Sequence, residues 1–117
     1  MDSHHFEIKR TPKPRLLFEE NVEEFNKLAN LDQIPDLANQ NLSDLDLRNF
    51  HLKKANLAGC YLRGANLGGV DLSEANLDGA SIKNAQISGC FFPRGLSAME
   101  INLSLMHGTR MRQSGKT

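Results

Sequence analysis

Tryptophan is absent, and aromatic residues make up only 6% of the 117 positions. Large aromatic side chains usually supply much of a core, so any core here has to be built mainly from Leu and Ala. Net charge is missing as well, with 14 Lys and Arg against 14 Asp and Glu. Without a basic excess the chain has no gross electrostatic attraction to DNA or to an anionic membrane surface. The lack of an acidic excess argues against an acidic mimic of DNA. Nucleic-acid and membrane partners are therefore not expected. No apolar run approaches the ~18 residues of a membrane helix. The opening residues, MDSHHFEIKR, contain no apolar segment of the signal-peptide kind. Two Cys are too few for a disulfide scaffold and suit a reducing compartment. The expectation is a cytoplasmic chain of one domain.

What the sequence does have is a period. Leu stands at 37, 42, 47, 52, 57, 62, 67, 72 and 77, followed by Ile82, Ile87 and Phe92, twelve apolar residues at a strict spacing of five. Two positions before each of these centres lies a second column, mostly small or apolar: Pro35, Gln40, Leu45, Phe50, Ala55, Cys60, Ala65, Val70, Ala75, Ala80, Ala85 and Cys90. The residue just before the centre is often Asn or Asp, and Gly often ends the repeat. A period of five fits neither a helix at 3.6 nor a strand at 2.0. It fits short extended pieces broken by turns, with both apolar columns pointing inward. Four such corners close a coil of 20 residues. Three coils at strand spacing make a body of about 14 Å.

The triplets Ala55-Asn56-Leu57, Ala65-Asn66-Leu67 and Ala75-Asn76-Leu77, with Val70-Asp71-Leu72 and the ladder over 35–94, resemble the pentapeptide-repeat family and its A-[DN]-L-x-x signature. The segment FPRGLSAMEINLSLMHGTRMR is similar to the ending of a subset of bacterial members. The resemblance implies an all-β solenoid, a right-handed quadrilateral β-helix of about three coils. Its centres would stack as Leu37, Leu57 and Leu77 on face one, and as Leu42, Leu62 and Ile82 on face two. Leu47, Leu67 and Ile87 would stack on face three, and Leu52, Leu72 and Phe92 on face four.

A stacked coil leaves an open core and a raw edge at each end, and both flanks read as short capping α-helices. Residues 1–34 are assigned to an N-terminal arm and capping helix, 35–94 to the β-helix, and 95–117 to a C-terminal capping helix and tail. Asn21 with Glu24 is an N-cap pattern, and Phe18, Val22, Phe25 and Ala29 fall on one stripe of a helix over 21–29. Leu31 and Ile34 would lead into the first coil. On the other side Ser97 and Glu100 form a capping box, Leu96 and Ile101 a hydrophobic staple, and Gly108 a stop, which predicts a helix over about 98–107. Leu96, Ile101, Met106 and Met111 also keep the spacing of five, so a re-phased fourth coil competes with that helix. Phe91 is expected under the C-terminal helix, and residues 1–13 and 111–117 read as mobile arms.

No catalytic constellation stands out. The four His have no His-x-x-x-His spacing, there is no Cys-x-x-Cys, and no nucleophile has a visible base. No enzyme activity, metal or cofactor is expected. Cys60 and Cys90 occupy the inward column and read as buried fillers. The candidate partner-binding surface is Tyr61, Arg63 and Lys83 on face two, with His51, Lys53 and Lys54 on face four, since Tyr and Arg are enriched in binding hot spots. The candidate dimer or docking end is Met99, Leu103 and Met106. The expected function is a non-enzymatic structural or protein-interaction module that presents a rigid repeat surface to a protein partner or to a second copy. Some relatives act as DNA mimics that bind a topoisomerase, DNA gyrase, and this is the alternative the resemblance brings. Against it, the ladder balances six basic residues with six acidic ones.

Overall fold

The computed structural model describes residues 21–31 and 35–114. Phe18, Ile34 and the arm over 1–13 lie outside the described residues.

Each repeat folds for a local reason. The C=O of a centre accepts the N–H three residues on, as in Cys60 to Leu57 at 3.1 Å and Ala75 to Leu72 at 3.0 Å, which closes a β-turn. The Asn or Asp before the centre accepts the N–H two residues on through its side chain. Asp36, Asn41, Asp46, Asn56, Asn66, Asp71 and Asn76 all do this. The column of Asn and Asp is thus a column of side chains that hold the corner. Beyond the corner the backbone is left-handed at Asn39, Asp44 and Asn84 and at Gly59, Gly64, Gly69, Gly79 and Gly89.

The chain meets itself every 20 residues. Seven parallel bridges join Asp36 to Asn56, Asn41 to Tyr61, Asp46 to Asn66, Asn56 to Asn76, Tyr61 to Ser81, Asn66 to Gln86 and Asp71 to Phe91. Each is a single-residue bridge, and among the described residues no longer strand forms. A corner every five residues leaves room for one paired residue per face, which is why the expected β-strands are reduced to isolated bridges.

The inward columns make the core. Every centre from Leu37 to Ile82 is less than 2% exposed, and Ala55, Cys60, Ala65 and Ala80 beside them are buried. Each buried Leu contributes roughly 1.5–3 kcal/mol of transfer free energy. Burial fades in the last coil, where Ile87, Cys90 and Phe92 are only partly covered. Cys90 is therefore not the buried filler that Cys60 is.

At the lower end sits α1 (Val22–Ala29), capped by Asn21, whose side chain accepts the Glu24 N–H at 3.2 Å. Phe25 is fully buried and meets Phe50 edge-on at 5.3 Å between ring centres. Leu31 remains exposed.

The upper end is closed by α2 (Ala98–His107), with Ser97 at the N-cap and left-handed Gly108 as the stop. The segment 98–107 is therefore a helix and not a re-phased coil. The chain then reverses. Met111 is buried, donates its N–H to Ala80 C=O at 2.8 Å and accepts from Gly79 at 2.7 Å. Two residues on, the Gln113 N–H reaches the Asp78 carboxylate at 3.0 Å. Residues 109–114 thus form a strap that runs antiparallel to 75–80. This corrects the expectation of a mobile tail for residues 111–114; residues 115–117 lie outside the described residues. Met111, which keeps the spacing of five, is buried, but it sits in the strap and not in a fourth coil.

Two further expectations fail. Phe91 is 63% exposed and does not lie under α2, because the strap and α2 bond to residues 75–84 instead. The capping box is half made: Ser97 accepts the Glu100 N–H, but the Glu100 carboxylate turns away and takes Arg112 of the strap.

Candidate interaction surface

The face-two patch is rearranged by the strap. The Arg110 guanidinium lies 4.8 Å from the Tyr61 ring centre, donates to the Tyr61 hydroxyl and also donates to Gly79 C=O at 2.7 Å. Tyr61 is thereby occupied by this chain's own Arg110, as a cation–π partner. The Lys83 stem packs beside Gly108, where a Cβ would meet Lys83 Cδ at 3.3 Å. Lys83 is half-covered, and Arg63 is exposed in the coil below it. Of the three, Tyr61 anchors the C-terminal strap, while Arg63 stays free of it.

Face four is different. His51, Lys53 and Lys54 are exposed. The His51 ring nitrogen Nδ1 lies 3.0 Å from Asn30 Oδ1, and Lys53 Nζ is 3.6 Å from Glu74. A groove of about 500 Å³ opens there, lined by Asn30, Phe50, His51, Lys53, Gly69 and Asp71 among others. Asp71 at its rim is held below the ordinary carboxylate range, chiefly by its hydrogen bond to Ser73.

Two carboxamides that the sequence reading passed over do structural work at the ends. Asn26 of α1 donates to Asn49 C=O at 2.8 Å and accepts the His51 N–H at 2.7 Å. Gln113 of the strap accepts the Leu77 N–H at 2.7 Å and donates to Ala75 C=O at 3.4 Å. Each replaces the peptide group of a coil that is not there. Their only sequence signal was a polar amide near a predicted end, which is indistinguishable from a solvated side chain. Buried Ser104 is a third such residue. Its hydroxyl accepts the Ile82 N–H at 2.9 Å and donates to Thr109 C=O at 2.6 Å.

Among the described residues no group of three or more His, Cys, Asp or Glu side chains converges as a metal site would require. No helix among them is long and apolar enough to cross a membrane. The family described as pentapeptide repeats matches in eight copies over residues 36–69 and 55–92. The chain is a pentapeptide-repeat protein. No curated protein and no solved structure matches it.

Among the described residues, the upper end of this pentapeptide-repeat stack is only half closed. In the second coil the N–H groups of Leu67, Gly69 and Leu72 all bond the coil above, to Gln86, Ser88 and Phe91. Their counterparts in the third coil, Ile87, Gly89 and Phe92, have no partner among the described residues. The strap and α2 cover faces one and two, at Leu77, Gly79, Ile82 and Asn84, and leave faces three and four with an open edge. On α2 the candidate docking residues Met99, Leu103 and Met106 are 69%, 40% and 66% exposed.

Proposed function

We propose that this pentapeptide-repeat protein is a non-enzymatic interaction module of the cytoplasm. Its stack is a right-handed quadrilateral β-helix, and it docks a second copy of itself, or a protein partner, at its C-terminal end. The observation that carries this reading is the open edge at Ile87, Gly89 and Phe92, since unpaired N–H groups in a row invite another chain to pair. The apolar row of Met99, Leu103 and Met106 supplies area of the kind that interface cores use, and Met is enriched there. The balanced charge of the ladder, six basic against six acidic residues, suits a protein surface and not a nucleic acid. Free Cys60 and Cys90 suit a reducing compartment.

Sedimentation velocity over a wide concentration range tests the self-association. The full chain should show a reversible monomer–dimer equilibrium, and Met106→Asp should move it toward monomer without lowering the melting temperature. A strict monomer at every concentration would rule out the second copy. The docking end would then have to be assigned to a different protein.

A further inference from the structure

Described left-handed corners that have a regular coil above them obey one rule: the corner residue donates its N–H to the C=O 19 positions on. Asn39 donates to Ala58 at 2.8 Å, Asp44 to Arg63 at 2.8 Å, Gly59 to Asp78 at 3.0 Å, Gly64 to Lys83 at 2.9 Å and Gly69 to Ser88 at 2.9 Å. Asn49 stands one and two coils below the left-handed Gly69 and Gly89, at the same corner, but is not left-handed. Its bond to Gly68 C=O is not made, and the next rung is missing too. Phe50 C=O and Leu52 N–H do not pair with Asp71, although one coil higher Val70 and Leu72 pair with Phe91. The groove of about 500 Å³ lies along this seam. A Cβ built on Gly69 would meet nothing within 4 Å, whereas on Gly79 or Gly89 it would meet the glycine one coil below at 3.6 Å.

Asn is the residue that enters the left-handed region most readily after Gly, and Asn39 and Asn84 do so here at φ of 63° and 60°. The Asn26 carboxamide holds Asn49 otherwise, gripping Asn49 C=O and His51 N–H from α1. We propose that the Asn49 corner is a two-state latch controlled by α1. With Asn26 engaged, the seam between the first two coils on face four is open and the groove beside His51 and Lys53 is exposed. With Asn26 released, Asn49 turns left-handed, the Asn49–Gly68, Phe50–Asp71 and Leu52–Asp71 hydrogen bonds form, and the groove closes. Access to face four is then set by the docking of the N-terminal helix.

Amide hydrogen exchange on the full chain, read residue by residue by NMR, tests this. The amides of Asn49, Leu52 and Asp71 should exchange at least about tenfold faster than those of Leu47 and Leu67, because local opening takes little free energy where bonds are unmade. Asn49→Gly should slow exchange at residues 49, 52 and 71 toward that of Leu67, and Asn26→Ala should do the same while Phe25 keeps α1 in place. Asn49→Ala, which disfavours the left-handed form, should leave the three amides fast. Should Asn26→Ala detach α1 altogether, Asn49→Gly still decides. Protection of the three amides in the unmodified chain, or no gain of protection in Asn49→Gly, overturns the proposal.

Discussion

Ser104 carries more of the end cap than its size suggests. It is fully buried, and its hydroxyl is the acceptor for the Ile82 N–H at the top of the core. Ser104→Ala leaves that N–H without an acceptor, and a denaturant melt should register a loss of about 1–3 kcal/mol. A loss within the error of the melt would mean that another group takes over the Ile82 N–H. The two thiols make a second residue-scale case. Cys60 Sγ donates to Leu37 C=O at 2.9 Å, and burial pushes its pKa up. Cys90 is pushed up to about 11, by burial first and by the nearby Asp71 charge second. Since the thiolate is the reactive form, both should react slowly with a thiol reagent near neutral pH. Cys90 should react first because it is only partly covered. Equal rates for native and denatured protein would remove the thiols from the interior column. At this scale the sequence revealed the inward column and the Asn and Asp corner residues, because both recur with the period. It did not reveal Ser104, Asn26 or Gln113, because a residue used once at an end leaves no periodic signal.

The C-terminal strap and α2 act as one element, joined by the Glu100–Arg112 pair. Arg112 Nη2 lies 2.7 Å from Glu100 Oε2, and the Arg112 backbone N–H also reaches the carboxylate at 3.0 Å. Hydrogen bonding to Arg112 holds the Glu100 carboxyl below its usual range. A carboxyl whose folded pKa is depressed adds stability above its unfolded pKa, near 4.3 for Glu, and loses it as the pH falls through the folded value. Protection of the Met111 amide should therefore be full at neutral pH and fall below about pH 4. Arg112→Ala should make that protection low and flat with pH; an unchanged acid transition in Arg112→Ala would assign it to another carboxyl. The cap itself is a separate contribution, and Ser97→Ala should cost about 0.5–2 kcal/mol in a thermal melt. The existence of α2 was legible from Ser97, Leu96 and Gly108. The strap was not, because TRMRQS has no apolar pattern beyond Met111 and its register comes from tertiary contacts at Asp78, Gly79 and Ala80.

Across the whole molecule, stability is a sum over stacked layers, with each coil contacting only its neighbours. Leu62 is fully buried in the middle coil, so Leu62→Ala should cost roughly 2–5 kcal/mol. The 20-residue coil was legible because its period is written in twelve consecutive centres. How far the ends are closed was not legible, since that depends on where α2 and the strap come to rest. Residues 20 apart stack in register along a continuous coil. Scalar couplings measured across hydrogen bonds by NMR test it most directly. Couplings are expected from the N–H of Leu57 to the C=O of Asn76, from Leu62 to Ser81 and from Leu67 to Gln86, where the distances are 2.8 Å in each case. Couplings from these amides to residues four positions earlier, or to none of these three carbonyls, would contradict the stacked coil and the interaction surface built on it.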